Sequence, residues 1–202
     1  NIDSNTPCIL LTRLEDGFQK LIEPQSNNID YSDIVNRQAI EVYNNKKSVV
    51  KKIEKENWFF KVYNIQIKII ILGAVHITQT LVKLADLMGF KSVIIDPRST
   101  FINDPIYKNL TILKEWPDEA LKKIKIDKNT AIVTLTHDPK LDDVMLKSVL
   151  KTEAFYIGSL GSEKTHLSRI IRLEKLGFEK KLIEKIYGPI GLDMNTKSPE
   201  EI

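Results

Sequence analysis

Apolar and polar positions divide the chain into two parts with different periodicities. In the first part, two short apolar runs flank the turn Glu15-Asp16-Gly17. An Asp-Gly pair between such runs predicts a β-hairpin, because it suits the tight turns that join antiparallel strands. Two more strands are predicted around a charged turn further along the chain. The predicted strands of this part are Cys8–Arg13, Gln19–Ile22, Val49–Ile53 and Trp58–Tyr63.

Apolar residues at helical spacing predict one α-helix between the two strand pairs, ending near Asn44. Asp30 or Ser32 can cap its start, because either side-chain oxygen can accept a hydrogen bond from a backbone amide of the first turn. Residues 1–66 are therefore predicted to form a small β-rich α+β lobe. Its sequence holds no convincing catalytic arrangement.

From residue 67 onward, predicted strands alternate with predicted helices. The strands are expected at 69–72, 92–95, 111–113, 130–135 and 154–157. The helices are expected at 77–88, from Trp116 onward, up to about Leu150, up to Lys175 and at 179–186. This alternation predicts an α/β fold for residues 67–202, with a Rossmann-like, doubly wound and mostly parallel sheet.

The strand, turn and helix within residues 68–79 are typical of the first unit of a nucleotide-binding domain. Gly73 and Ala74 make the turn, and backbone amides at such a helix start can hold a phosphate. Val75 stands where the usual glycine fingerprint has its second glycine, and Thr78 stands in place of the third. We therefore expect the bound group to lie less tightly on the turn than a nicotinamide dinucleotide does.

Polar or glycine residues follow several strands at the point where each strand ends. Because ligands of open parallel sheets bind at the carboxyl ends of the strands, these segments are expected to share one crevice. Gly158 and Gly161 make the last of them a second glycine turn that opens a helix, which is a good anion cradle. The segments are Gly73–His76, Asp96–Arg98, Thr136–Asp138 and Gly158–Ser162.

Asp96 and Arg98 allow two interpretations. Asp96 follows the glycine turn by about twenty residues, where an acid binds a ribose hydroxyl, and Arg98 could hold a phosphate through two hydrogen bonds. Alternatively, Asp96 and Pro97 simply form a turn that closes the strand. His76 could donate to a phosphate or a substrate carbonyl, or it could cap and pack at the turn; at a helix start it is expected to be neutral.

His137 and Asp138 lie close to two further acids, Asp142 and Asp143. A metal site is one interpretation, but zinc sites usually add a second His or a Cys. The favoured interpretation is that the acids stabilise the helix start, with Asp138 as its cap. We therefore assign no metal ligand and no catalytic residue.

Composition narrows the range of functions. The net charge is only +3, and the lysines are interspersed with acids, which argues against a nucleic-acid surface. No apolar run reaches the roughly 20 residues of a membrane span, and no signal peptide is evident. Cys8 is the single cysteine and falls in a strand pattern, so it predicts a core residue in a cytoplasmic protein. The chain begins without Met and ends in a helix-opening pattern, so we expect a longer protein.

The motifs together resemble the xanthine dehydrogenase accessory protein family, the XdhC/CoxI type. The resemblance runs from Ile69 to the end, in the family's order and spacing. It is carried by IIILGAVHITQTLVKLADLMGF, SVIIDPR, EWPDEAL, AIVTLTHDPKLDD, AFYIGSLGSEKTHLSRI and IYGPIGLDMNTKSPEEI. Residues 1–66 look like an abbreviated amino-terminal portion that lacks the family's longer glycine- and cysteine-bearing segment. Val75 departs from the usual Gly-Ala-Gly-His.

The resemblance implies a maturation factor without turnover of its own. Such a protein would bind the molybdenum cofactor, as molybdopterin or its dinucleotide form, and protect it or help its sulfuration. It would then deliver the cofactor to a molybdenum hydroxylase apoenzyme of the xanthine or carbon monoxide dehydrogenase type, with a cysteine desulfurase as a further partner. The implied cofactor-binding residues are Gly73, Ala74, Val75, His76, Asp96 and Arg98 on one side, and His137, Asp138, Gly158, Ser159 and Gly161 on the other.

Two other functions stay open on the sequence. A nucleotide-binding pattern followed by Asp96 is also consistent with an NAD(P)-dependent oxidoreductase, although the Val75 side chain would crowd a pyrophosphate. A plain interaction module with a vestigial crevice is the third interpretation. Pairing of two copies into a homodimer is left open.

Overall fold

The computed structural model describes residues 7–24, 26–63, 67–98, 108 and 110–192. The chain divides into two compact units, Asn1–Gln66 and Ile67–Ile202. Each unit has its own sheet; the first has one buried apolar cluster, and the second has two.

The first unit is a four-stranded antiparallel sheet with one helix packed on one face. The strands lie in the order β2-β1-β4-β3, so the predicted hairpin of β1 and β2 is confirmed. Strand residues such as Leu11 and Phe60 are fully buried against Ala39 and Val42 of the helix. The elements are β1 (Cys8–Arg13), β2 (Gln19–Ile22), α1 (Ile34–Asn44), β3 (Val49–Ile53) and β4 (Glu56–Tyr63).

Two details of the first unit correct the sequence prediction. The cap of α1 is Asp33, whose carboxylate accepts from the amides of Val35 at 2.7 Å and Asn36 at 3.4 Å. The predicted cap Asp30 instead accepts from the amide and hydroxyl of Ser32, the other predicted cap, just before the helix. Strand β4 begins at Glu56 rather than Trp58, because Glu56 already pairs with Ile53 across a shorter turn.

The second unit is a six-stranded sheet in which every pair of neighbours is parallel. The strand order is β10-β9-β8-β5-β6-β7, so the predicted Rossmann-like fold is confirmed. The elements are β5 (Lys68–Leu72), α2 (His76–Leu87), β6 (Lys91–Ile95), β7 (Thr111–Leu113), α3 (Pro117–Leu121), β8 (Thr130–Thr134), α4 (Pro139–Val149), β9 (Tyr156–Ser159), α5 (Glu163–Lys175), α6 (Lys180–Ile183) and β10 (Ile186–Tyr187).

Helices cover both faces of this sheet, which explains the almost uninterrupted apolar run of β5. Ile70 and Leu72 point to the cluster that holds α3, α4, α5 and α6, whereas Ile69 and Ile71 point to the cluster that holds α2. A parallel strand buried on both faces must be apolar at successive positions rather than at alternate ones. The chain runs from β5 outward to β6 and β7, then crosses to β8 on the other side of β5. Strands β5 and β8 therefore flank the topological switch point, where ligands of such sheets bind.

The carboxyl-terminal part of the second unit departs from the predicted elements. Strand β9 runs Tyr156–Ser159 rather than 154–157, so Gly158 lies within the strand. The predicted helix at 179–186 is confined to α6, and Ile186 belongs to β10. Ile186 pairs with Ile157 and is 5% exposed, so contact with β9 overrides the local helical pattern. Within the described residues, no helix has both the length and the apolar character needed to cross a membrane.

The cap of α1 gives a direct test of the corrected boundary. Asp33→Ala is expected to lower the free energy of unfolding of the first unit by about 1 kcal/mol, because the amides at the helix start lose their acceptor. Ser32→Ala is the matched control, with an expected change within about 0.5 kcal/mol. Urea unfolding followed by Trp58 fluorescence in a Trp116→Phe background measures both variants. Equal losses would contradict Asp33 as the cap.

Candidate functional site

The strand ends singled out in the sequence lie side by side in the fold. They follow β9, β8, β5 and β6, which are consecutive strands of the sheet. Because all four strands are parallel, their carboxyl ends meet at one edge. We call this edge, from residues 73–76 and 96–98 to residues 136–138 and 158–162, the strand-end crevice.

Gly73 packs directly against the loop that follows β8. Its φ angle is +108°, and a Cβ there would lie 2.9 Å from Thr136 Cγ2 and 3.3 Å from the Thr136 backbone nitrogen. Its amide donates to the carbonyl of Ile95 at 2.9 Å. Only glycine combines this backbone conformation with the absence of a side chain, so the two loops of the switch point can touch here.

Asp96 lies beneath the first glycine turn. It is fully buried, and one oxygen accepts from the Ala74 amide at 2.8 Å. Arg98 donates to both oxygens through its Nε and Nη2 atoms, each at 2.9 Å, and to Oδ1 through its backbone amide, also at 2.9 Å. Burial acts to raise the pKa of the Asp96 carboxyl, but the hydrogen bonds from Arg98 and Ala74 hold that pKa below its ordinary value.

These contacts change how the Asp96–Arg98 pair can act. The carboxylate supports the turn from inside the protein, instead of facing a ligand as a ribose-binding acid would. Arg98 is the partly exposed member, with 39% of its side chain accessible, and its Nη1 atom lies outside the pair with Asp96. A bidentate pair of this kind fixes the guanidinium plane, so the Nη1 edge, which bonds to no described residue, has a defined direction.

The start of α2 is held by Thr78, which stands where the glycine fingerprint would have its third glycine. Its buried hydroxyl donates to the Gly73 carbonyl at 2.6 Å and accepts from the Val75 amide at 3.4 Å. Val75 precedes the helix in extended conformation and supplies no side-chain oxygen as a cap. His76 is the first residue of the helix and is exposed. At two positions where the fingerprint has glycine, this chain thus has a branched apolar side chain, Val75, and a hydroxyl that bonds to the turn backbone, Thr78.

The loop after β8 places His137 and Asp138 differently. His137 is exposed, whereas Asp138 caps α4 by accepting from the Lys140 amide at 2.9 Å, as the favoured sequence interpretation has it. In the described part of the chain, no group of three or more His, Cys, Asp or Glu side chains is arranged to hold a metal ion.

The second glycine turn presents backbone rather than side chains. The Ser159 hydroxyl is fully buried and bonded to Thr134 of the neighbouring strand at 2.9 Å. A Cβ on Gly158 would lie 2.5 Å from Ile190 Cδ1, so the strand is pressed against a following loop. Gly161 has a φ angle of +135°, and Ser162 caps α5 by accepting from the Thr165 amide at 3.2 Å. Leu160 and Gly161 are half-buried, and Ser162 is the exposed residue of this turn.

Sequence reasoning missed a buried charge pair between the two turns. Asp142 of α4 is 4% exposed and accepts a short hydrogen bond from the Thr136 hydroxyl. Arg169 of α5 is 1% exposed, and its Nη2 lies 3.7 Å from Asp142 Oδ2. The missed signal is helical periodicity, because Arg169 stands one turn before the buried Leu173 and so falls on the apolar face.

Burial raises the pKa of Asp142 to about 6, although the Thr136 hydrogen bond and the charges of Arg169 and His137 act in the opposite direction. Asp143 adds to the rise through its own negative charge. Burial also lowers the pKa of Arg169. The two carboxylates beneath the crevice therefore differ, because Asp96 has several direct hydrogen bonds and Asp142 has fewer.

The geometry indicates anion binding. Two helices of 12 and 13 residues begin at the crevice, and the amides of a helix start attract negative groups. Arg98, which follows β6, adds one oriented guanidinium beside the first of these helix starts, where Asp96 joins it to the Ala74 turn. The fold and this edge define a Rossmann-like domain with a crevice at its switch point, lined by groups whose charge suits an anion.

Comparison with known proteins gives the family. Residues 69–202 match the family model of the XdhC Rossmann domain, and the chain belongs to that family. The resemblance found in the sequence is thereby confirmed.

Similar proteins carry related names. Over 73 residues the chain is 34% identical to the molybdenum cofactor insertion chaperone PaoD of Escherichia coli (strain K12), an alignment that covers 36% of this chain and 23% of that protein. Over 136 residues it is 26% identical to a probable xanthine dehydrogenase subunit of Bacillus subtilis (strain 168), covering 67% of this chain and 39% of that one. The chain thus spans well under half the length of these relatives.

A crystal structure from Bacillus halodurans, described as a xanthine dehydrogenase, is similar with a TM-score of 0.72. The sequence identity is 22%, and the match covers 99% of this chain and 59% of that one. At this identity the likeness supports the fold alone.

Gly73 can be tested against a second glycine with positive φ. Gly73→Ala is expected to lower the free energy of unfolding by about 2–4 kcal/mol, because left-handed strain adds to a clash with Thr136. Gly89→Ala is the control: its φ is +71° and no atom lies within 4 Å of its added Cβ, so only the strain of about 1–2 kcal/mol applies. Urea unfolding measures both, and equal losses would exclude the close contact at the switch point.

The raised pKa of Asp142 predicts a pH-dependent contribution to stability. The native carboxyl keeps its proton up to about pH 6, whereas the unfolded chain releases it near pH 4. The native state therefore binds more protons between these values, and this contribution is fully present below about pH 4 and lost as pH rises through 6. A shift of about two units corresponds to roughly 3 kcal/mol.

The difference between wild type and Asp142→Asn isolates this group, because the other carboxylates are common to both proteins. The free energy of unfolding of wild type minus that of the variant is expected to fall by about 2 kcal/mol between pH 4 and pH 7, most of the full effect. Urea titrations across that range measure it. A constant difference, or one that grows with pH, would show that the pKa of Asp142 is not raised.

Proposed function

We propose that this protein binds the molybdenum cofactor at the strand-end crevice, shields it and delivers it to a molybdenum hydroxylase apoenzyme of the xanthine or carbon monoxide dehydrogenase type. The observation that carries the proposal is the oriented Arg98, held by Asp96 to the first glycine turn at the switch point. Family membership and the name of the Escherichia coli relative support the choice of cofactor.

The residues present fit an anionic pterin cofactor. Molybdopterin carries a phosphate, and its dinucleotide form carries a pyrophosphate. The crevice offers the guanidinium of Arg98 and the amides at two helix starts, and the carboxylate of Asp96 is screened from a ligand by its own hydrogen bonds. When bound, the cofactor supplies the redox-active metal that the client enzyme needs. The chain's own residues bind, orient and shield that group.

The side chains at α2 favour the molybdopterin form of the cofactor, which carries a single phosphate, over NAD(P). Val75 occupies the position at which a dinucleotide fingerprint leaves space for the pyrophosphate, and Asp96 is committed to Ala74 and Arg98. An NAD(P)-dependent oxidoreductase remains the alternative function, because the parallel sheet and its switch point are those of dinucleotide-binding domains. Saturable NAD(P)H binding coupled to a substrate-dependent absorbance change would favour it.

The proposal extends to partners and location. A molybdenum hydroxylase apoenzyme is the proposed recipient, a cysteine desulfurase is a proposed source of sulfur for the cofactor, and the cytoplasm is the proposed compartment. Homodimer formation and the assignment of cofactor binding to residues 67–202, separate from residues 1–66, are part of the same proposal.

Cofactor retention tests the proposal. The 202-residue chain is produced in cells that make the molybdenum cofactor, and the pterin released from the purified protein is oxidised and quantified by fluorescence. The double variant Asp96→Asn/Arg98→Gln removes the oriented charge without leaving a buried carboxylate alone. It is expected to retain about ten- to a hundredfold less pterin, since a hydrogen bond to a charged group is worth about 1.5–3 kcal/mol.

The control is Asp16→Asn/Arg13→Gln, which removes a similar bidentate pair from the hairpin of the first unit. It should retain pterin like the wild type. Absence of pterin from the wild type, with purified molybdopterin also failing to bind in calorimetry, would refute the function. Equal pterin retention by both double variants would show that Arg98 does not bind the cofactor.

A further inference from the structure

A buried ion pair lies between the two glycine turns and belongs to neither. Arg169 is the largest fully buried side chain among the described residues, and Asp142 faces it from the neighbouring helix. Burying two charges is costly and is weak evidence for a stabilising role. The pair also contacts both glycine turns, through the Thr136 hydroxyl at the Asp142 end and the Leu160 carbonyl at the Arg169 end.

At one end, the pair reaches the first glycine turn. Asp142 accepts the short hydrogen bond of the Thr136 hydroxyl, and this bond, with weaker ones at 3.4 Å to the backbone of Asp138, holds the rotamer of Thr136. The methyl group of that same side chain is the atom that lies closest to the position of a Cβ on Gly73. The Asp142 carboxylate therefore determines where the methyl group sits, and through it how closely the Gly73 turn can approach β8.

At the other end, the pair reaches the second glycine turn. Arg169 Nη2 donates to the carbonyl of Leu160 at 2.9 Å, in the middle of the turn between Gly158 and Gly161. Its Nη1 lies 3.3 Å from Nδ1 of His166, which must accept because a guanidinium only donates. The His166 ring in turn packs on the backbone of Gly188, where it fills the place that a Cβ would take.

The geometry of the Arg169 guanidinium indicates that the side chain positions its neighbours, because one of its own hydrogen-bond donors is left without a partner among the described residues. Its Nε atom is buried and has no hydrogen-bond partner among the described residues. An arginine placed to satisfy its own donors would not leave this one unpaired. Its Nη2 atom instead donates to the Leu160 carbonyl and lies 3.7 Å from Asp142 Oδ2, so this one nitrogen contacts both ends of the bridge.

We propose that Arg169 and Asp142 are positioning residues that join the two glycine turns. This one buried charge pair sets the distance between the backbone amides of the first turn and those of the second. The consequence for cofactor binding rests on the function proposed above, whereas the bridge itself does not. Neither residue touches the bound group; each acts through a turn.

The chain contains a matched control in the next ion pair of the same two helices. Arg172 of α5 donates to both oxygens of Asp143 of α4, at 2.6 and 3.0 Å. This pair has the same residue types and joins the same helices, but none of its hydrogen bonds reaches a glycine turn. It is also more exposed, with 34% of the Arg172 side chain accessible.

Hydrogen exchange on the protein without ligand tests the bridge. The double variants Asp142→Asn/Arg169→Met and Asp143→Asn/Arg172→Met each remove one pair without leaving a lone charge. The reporters are the amides of Gly73, Leu160 and Ile190, which donate to Ile95, Thr134 and Ser159. The first variant is expected to speed their exchange about tenfold or more relative to the amides of central strands, and the control to leave that ratio within about twofold.

Arg169→Lys separates positioning from packing and charge. A lysine keeps the positive charge beside Asp142 but cannot reproduce the fixed pair of donors that the guanidinium presents to the Leu160 carbonyl and to His166 Nδ1. Its thermal unfolding midpoint is expected to lie close to that of the wild type. The Leu160 and Ile190 amides are nevertheless expected to exchange faster than in the wild type, as they do in the Asp142→Asn/Arg169→Met variant. This variant also decides the question if the double variant fails to fold.

The bridge is overturned if Arg169→Lys exchanges like the wild type at both turns, or if both double variants loosen the turns equally. Molybdopterin retention is measured in parallel. Loose turns with unchanged retention would support the bridge and contradict the placement of the cofactor at these turns. If the wild type never binds molybdopterin, the proposed function is refuted. The hydrogen-exchange result would still show whether Arg169 and Asp142 join the two turns.

Discussion

The contact between Gly73 and Thr136 is the constraint on which the strand-end crevice depends. Strands β5 and β8 lie side by side, and the chain leaves them toward helices on opposite faces of the sheet. Their loops touch because residue 73 has no Cβ and adopts a φ angle of +108°. Two buried carboxylates support this contact. Asp96 accepts a hydrogen bond from Ala74, the residue after Gly73, and Asp142 accepts one from the Thr136 hydroxyl.

The two supporting carboxylates show how the number of direct hydrogen bonds decides the state of a buried acid. Asp96 accepts from a turn amide and from several donors of Arg98, so its pKa is lowered despite full burial. Asp142 accepts from one hydroxyl and lies farther from its arginine, so burial prevails and its pKa rises to about 6. The Arg98 side of the crevice therefore carries a strong, partly exposed ion pair, and the Arg169 side carries a costly buried one.

This division suits a protein that holds a ligand. On the exposed side, Arg98 has a fixed plane and a free edge, which can meet a phosphate oxygen. On the buried side, Arg169 is 1% exposed and transmits the position of one turn to the other. Membership of the XdhC Rossmann domain family and the proposed role in carrying the molybdenum cofactor are consistent with such a scaffold, in which orientation matters more than reactive side chains.

The sequence by itself determined the hairpin, the alternating strands and helices and the glycine turns, because periodicity and turn chemistry are local properties. It also predicted that four strand ends lie side by side, since parallel strands bring their carboxyl ends to one edge. Only the tertiary structure decided that Ile186 pairs as a strand, that Asp96 serves the Ala74 amide and that Arg169 is buried beside Asp142. Each of these depends on groups distant in the chain, and burial and hydrogen bonding between such groups outweigh the local pattern.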